Sequence, residues 1–372
     1  MRALRRGVVC ASMPAHFDAR RPFAGIMKAA VYMGPGEIVV KEVETPRAGP
    51  GEVLLRMRAA AVCGTDVRIY LRGQANVVPP AITGHEICGE IAEVGAGLDA
   101  YEVGQRVTSV TSIGCGECAM CARGWTNMCP GSRYLGYHFP GAFAEYMVVP
   151  VPAVEQDAVI PAPEHLSDAA VALVEPFSCV VNGQEPLRVG ERDTVVVIGA
   201  GPIGTMHLEL ARASGAGRVI VVEVEARRLE MVKQFAPDEL IDGSKRDAVE
   251  EVKRLTGGRG ADVVVVACGV KSAALQAVAM AGMKGRVSFF AGFPKDDPTI
   301  ALDANVVHYR ELGIFGAFAS HRAQFVRAME LAAEGKVDLD RLVTHRFPLE
   351  ALVEAIATTR SGDGLKSVIE FE

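Results

Sequence analysis

TVVVIGAGPIG, residues 194–204, is the stretch that decides how this chain folds. Thr194 to Ile198 is an unbroken β-branched run, as suits a strand buried on both faces. It leads straight into Gly199-Ala200-Gly201-Pro202-Ile203-Gly204 and then into the helix-like text MHLELARAS. A G-x-G-x-x-G string is weak evidence alone, but between a strand and a helix it has a mechanism. Gly199 permits the tight turn, Gly201 lets backbone approach a pyrophosphate, and Gly204 lets the helix pack closely on the strand. The helix N-terminus, opened by Pro202 and Ile203, then offers amides and dipole to the phosphates. The plainer reading is a glycine-rich strand–helix turn with no ligand. Glu223 favours the dinucleotide: it ends RVIVVE, 19 residues after Gly204. A carboxylate there accepts bonds from ribose hydroxyls and repels a 2′-phosphate, which selects NAD. Arg227 and Arg228 follow, and a guanidinium welcomes that phosphate, which leaves NADP open. Their ordinary reading is a solvated helix face.

Outward from this turn the same grammar repeats. RVIVVE, ELID, ADVVVVACG, RVSFFAG and LGIFGA are further apolar runs, with helical text between them. Six strands alternating with helices predict a doubly wound parallel α/β sheet of Rossmann type over 177–317. Upstream, from Met27, short alternating segments such as MKAAVYMGPGEIVVKEVETP are punctuated by glycine, which predicts a mostly β, barrel-like domain over 27–176. The tail from 318 to 372 holds two helix patterns and a last strand, KSVIEFE. Residues 1–26 are basic with a short apolar centre, VVCASM, too short for a secretory signal. They read as a disordered extension before a second start at Met27.

Composition narrows the function. Hydrophobic residues are 49% of the 372, enough for a large core, and the formal net charge is -6 with no basic run. That balance argues against nucleic acid, and no apolar stretch reaches the ~20 residues of a membrane span. Nine cysteines without an export signal point to a reducing, cytoplasmic setting.

Four of those cysteines, Cys115, Cys118, Cys121 and Cys129, are spaced C-x2-C-x2-C-x7-C within the loop 114–130. Four thiolates on one short loop can close a tetrahedral shell around zinc. Two disulfides or four unrelated thiols are the alternatives, and nothing marks the chain as secreted. The shell leaves no position for water, so this zinc is structural. Cys63 in VCGTD, His85 and Glu86 in TGHE, and Glu175 in VEPFSC form a second candidate set. Singly each has a plain structural reading, and spacing does not show that they converge.

Together, CGTD at Cys63, GHEICGEIAEVG from Gly84, the four-cysteine loop, GAFAEY from Gly141, VEP at Val174 and GAGPIG resemble the zinc-dependent medium-chain dehydrogenase/reductase family, over nearly everything from Met27 on. The resemblance implies a GroES-like β-barrel catalytic domain, completed by 318–372, facing the Rossmann domain across a cleft. It implies two Zn2+ per chain, one of them held by Cys63, His85 and Glu175, with Glu86 entering the shell at times. Glu175 before Pro176 is similar to the polyol and threonine dehydrogenase branches. The implied chemistry is Lewis-acid activation of a secondary alcohol and hydride transfer to NAD, with Thr65 taking the proton. Relatives often carry His where this chain has Arg68, and arginine shuttles protons poorly, so release runs through Glu86, water or ribose. Arg68 could instead anchor an anionic substrate or the cofactor phosphates. His138 resembles a substrate-side position, with a loop histidine as its plain alternative. Ala319-Ser320 stand where a sorbitol dehydrogenase has Arg-Tyr, which argues against plain sorbitol. Cys88, Cys179 and Cys268 read as core thiols. The expected partner is a small polyol, sugar or sugar derivative, with the enzyme a homodimer or homotetramer. L-threonine, a sugar phosphate, and a non-catalytic nucleotide-binding role are the rival readings.

Overall fold

In the computed structural model, the described residues are 25–372. The expectation of a disordered extension at 1–26 falls almost entirely outside them. The run that opens at Thr194 is the centre of a six-stranded, all-parallel sheet. Its order is Glu239–Asp242, Arg218–Glu223, Thr194–Ile198, Ala261–Val266, Ala281–Phe289, Gly313–Gly316. All six runs read as strands are strands. Helices Pro202–Ala213, Ala226–Val232, Ala248–Leu255 and Lys271–Met280 connect them. The central valines, Val195 to Val197 and Val263 to Val266, are fully buried, as a parallel strand covered on both faces requires. This is the doubly wound Rossmann arrangement, and the strand order reverses beside Thr194–Ile198, the strand that ends in the glycine turn.

The N-terminal half is antiparallel except where Lys366–Glu370 pairs in parallel with Val343–Phe347. A three-stranded sheet orders Glu37–Glu44, Ile26–Gly34 and Ala81–Ile82. A larger sheet orders Val159–Pro161, Arg106–Ser109, Glu86–Val94, Val53–Ala61, Lys366–Glu370 and Val343–Phe347, with Tyr146–Val149 also on Val53–Ala61. The chain's last strand thus lies inside the first half's sheet, Val368 opposite Ala61. One continuous core runs from Leu55, Met57 and Ile87 through Phe143 and Phe177 to Val195 and Phe325. Two short strands, Ser112–Ile113 and Arg133–Tyr134, clamp the base of the four-cysteine loop. Among the described residues no helix is long and apolar enough to cross a membrane.

Candidate active site

Strand Val53–Ala61 stops at Cys63, and helix Gly64–Arg72 starts there. Asp66 makes this turn: its Oδ2 accepts the Cys63 N–H at 2.8 Å, which satisfies an orphan donor of the helix N-terminus. Thr65 lies on that first helical turn, beside the metal-ligand candidates. Its Oγ1 accepts from Arg68 Nη2 at 3.4 Å, and Arg68 also donates to Gln74 Oε1 at 2.8 Å. His85 and Glu86 begin the adjacent strand, Glu86–Val94. Gly84, at φ 95°, precedes them, and a Cβ there would sit 2.9 Å from the Phe143 ring. The loop 136–141 presses on the same spot. A Cβ on Gly136 or Gly141 would come within 2.4 or 2.3 Å of the Gly84 carbonyl oxygen. Glu175 comes from a third element, the first turn of helix Val174–Gln184.

Cys63, His85 and Glu86 converge: each offers a ligand atom within 4.8 Å of the other two. Glu175 is not in that three-way set. Its Oε1 accepts from Thr111 at 3.2 Å, yet its charge is felt by His85. Glu86 thus lies in the close three-way set and is paired with Lys366, while Glu175 lies outside it and is paired with Thr111. The Lys366 ammonium, 5% exposed, is hydrogen-bonded to Glu86 Oε2 and to the Val62 carbonyl at 2.9 Å.

The electrostatics call for a cation. Burial drives the Glu175 carboxyl up to about 7, and Glu86 pushes the same way. Burial alone would lower His85, but Asp66, Cys63 and Glu175 overcome it and hold the imidazole well above its ordinary value. Four potential anions, Cys63, Asp66, Glu86 and Glu175, face the cations His85 and Lys366. Glu86 Oε1 is buried without a hydrogen-bond partner, and Asp66 Oδ1 faces only His85 Nδ1, at 3.7 Å. Buried anions in excess, an orphaned carboxylate oxygen and a thiolate–imidazole–carboxylate donor set fit a divalent zinc ion.

The four-cysteine loop fits zinc more directly. Its sulfurs lie 3.6 Å (Cys118–Cys121), 3.7 Å (Cys118–Cys129) and 4.0 Å (Cys115–Cys121) apart. A zinc about 2.3 Å from each sulfur spaces them about 3.8 Å apart, whereas a disulfide needs about 2.05 Å. The backbone N–H of Cys121 draws the Cys118 thiol down to about 7, and burial lifts Cys129 to about 12.

At the glycine turn, Gly199 has φ 104°, and a Cβ on Gly204 would lie 1.8 Å from the Gly199 oxygen. Gly201 is the N-cap of helix Pro202–Ala213, with Pro202 first in the helix and Ile203 packed on the core. Glu223 is buried at the end of its strand. Its Oε2 accepts from Ala200 N at 2.7 Å, and its Oε1 from Val224 N and Glu225 N. Arg227 is paired with Asp363, while the Arg228 guanidinium lies over Gly201 and beside Gly362.

His138 serves its own turn: Nδ1 accepts the Tyr134 N–H at 3.1 Å, and the ring stacks on Tyr134. Its neighbour Tyr137 is the residue that reaches the metal-ligand set, with its phenol 3.5 Å from His85 Nδ1 and close to Thr65. Tyr137, Asp66 and Lys366 escaped the sequence reading. The available signals were a lysine in an otherwise apolar last strand and an aspartate in the quoted CGTD.

Two family models match: the alcohol dehydrogenase GroES-like domain over residues 49–163, and the zinc-binding dehydrogenase domain over 202–334. Sorbitol dehydrogenase of Bacillus subtilis (strain 168) is 34% identical over 334 residues, 89% of this chain and 92% of that protein. L-threonine 3-dehydrogenase of Pyrococcus abyssi is 34% identical over 345 residues, 91% and 95% of the two chains. A zinc-binding dehydrogenase from Sinorhizobium meliloti 1021 bound to NADP superposes with a TM-score of 0.87 at 29% identity, covering 93% of this chain and 100% of that one. The fold and both ligand sets define a zinc- and nicotinamide-dependent oxidoreductase. The chain belongs to the zinc-dependent medium-chain dehydrogenase family, whose members here are alcohol and polyol dehydrogenases.

Proposed function

We propose that the chain oxidises a secondary alcohol of a polyol, sugar or sugar derivative, with NAD as the hydride acceptor. The convergence of Cys63, His85 and Glu86 beside Glu175 carries this reading. Cys63, His85 and Glu175 hold the catalytic zinc, with Glu86 as the exchangeable ligand; the four-cysteine loop holds the structural one. Residues 27–176 with 318–372 act as the catalytic domain, and 177–317 as the dinucleotide domain. Bound there, zinc would supply Lewis-acid activation of the substrate hydroxyl, and the nicotinamide would be the hydride acceptor. Thr65 Oγ1 accepts the hydroxyl proton as it gives up its own, which leaves through Glu86, water or the ribose, and Asp66 and Tyr137 fix the His85 ring by its Nδ1 edge. Arg68 does not relay that proton.

Gly199, Gly201 and Gly204 seat the pyrophosphate with the amides of Pro202–Ala213, proline excepted, and Glu223 meets the ribose. Arg228, lying over Gly201, gives NADP a foothold, in keeping with the NADP-bound relative. L-threonine oxidation is the second reading. Beyond the resemblance to that relative, Arg68 has no carboxylate partner among the described residues and is exposed, so it suits a substrate carboxylate. A nicotinamide-reduction assay over polyols, sugar acids, sugar phosphates and threonine, with zinc analysis alongside, decides between them. Turnover of a neutral polyol above threonine is expected. No turnover of any secondary alcohol by the two-zinc protein would overturn the proposal.

A further inference from the structure

One strap of backbone links the two ligand sets. Residues 317–321 leave edge strand Gly313–Gly316 and enter helix Arg322–Ala333, and Ala319 stands there at φ 49°. A β-carbon disfavours this left-handed conformation, so it persists where surroundings enforce it. Three tethers do so. Asn127, buried in the four-cysteine lobe two residues before Cys129, donates Nδ2 to the Phe318 carbonyl at 2.8 Å. Asn182, on the helix that carries Glu175, donates to the Ala319 carbonyl at 2.8 Å. Ser178 Oγ, 2.6 Å from the Glu175 carbonyl, bonds Ser320 Oγ at 2.6 Å. Beyond the strap, a cavity of about 560 Å³ bordered by Trp125, Asn127, Asn182, Phe318 and His321 leaves room for it to move. On its inner side, Ser320 lies beside the Cys179 thiol, which also feels the charges of Glu175, Cys63 and Glu86.

We infer that the four-cysteine lobe positions the substrate side of the catalytic site, with Asn127 as the positioning residue that pins the Phe318–Ser320 strap over Cys179. The inference rests on the proposed reaction only for its kinetic consequence. Its geometric consequence stands without turnover.

The test uses the two-zinc protein and two variants. Asn127→Asp keeps the side chain's size but turns an oxygen toward the Phe318 carbonyl; Asn182→Ala releases the strap without touching the lobe. Iodoacetamide labelling of Cys179, followed peptide by peptide by mass spectrometry, reads strap position. Both variants are expected to keep two zincs and to label Cys179 about tenfold faster, and KM for the alcohol rises about tenfold with kcat within about twofold. If Asn127→Asp fails to hold two zincs, Cys118→Ser, which gives up the lobe's zinc alone, replaces it, with the same labelling expected. Labelling unchanged in Asn127→Asp, or in that replacement, overturns the coupling, even where Asn182→Ala labels faster. Faster labelling in a protein that oxidises no alcohol supports the coupling and overturns only the reaction.

Discussion

The four thiols of 115–129 belong to one loop, partly open to solvent, and a single pair of short strands closes its base. Cys63, His85, Glu86 and Glu175 come instead from a helix start, a strand start and a second helix, and the last three are buried. In the loop, backbone N–H groups already favour one thiolate, and the sulfurs stand at zinc spacing. In the buried site, desolvation favours a proton on Glu175, and the crowded anions, against desolvation, favour one on His85. The loop is thus made for permanent occupancy, and the buried site for exchange. Four like ligands leave nothing open, whereas unlike ligands of adjustable protonation leave a place for substrate.

The sharpest break between the two regions comes from Cys63→Ala. Turnover should fall at least about a thousandfold, with loss of one zinc and little change in melting. Retained turnover would remove the catalytic assignment. Lys366→Met strands Glu86 as an unpaired buried anion, and should cost about 3–5 kcal/mol in the zinc-free protein. Denaturant melts with and without zinc check this, and the deficit should shrink when zinc neutralises Glu86. Cys118→Ser should remove the other zinc and lower Tm by roughly 5–10 °C while the residual folded enzyme still turns over. A Tm unchanged at one zinc per chain would mean the lobe needs no metal.

The smallest effect is a pH trend. Glu175 binds a proton more readily in the folded, zinc-free chain than unfolded, at about 7 against 4.5. That contribution to zinc-free stability is complete below 4.5 and is lost as pH rises through about 7. His85, also raised, adds a loss of the same sign beginning near 6.5. Zinc displaces those protons, so the Tm gap between zinc-loaded and stripped protein should widen from pH 5 to 8. Cys63→Ala should flatten the trend, and Cys118→Ser should leave it.

How much of this was legible in the linear text follows from range. The glycine turn, the six buried strands and the four-cysteine loop are short-range objects. Each is fixed by neighbours within a few residues: φ permission at Gly199, β-branched runs such as Val195–Val197, and thiol spacing on one loop. Their reading needed no knowledge of the other half of the chain. The buried site is long-range. Lys366 reaches Glu86 across 280 positions because the last strand inserts beside Val53–Ala61, a pairing no local pattern states. Tyr137, rather than His138, meets His85 because three glycines let one loop collapse onto another, and a one-residue change of side-chain direction is invisible in composition. The sequence by itself determined which ligand types were present and how the backbone would turn; only the packed sheets decided which carboxylate stands nearest Cys63 and His85, since desolvation and charge act through space and not along the chain.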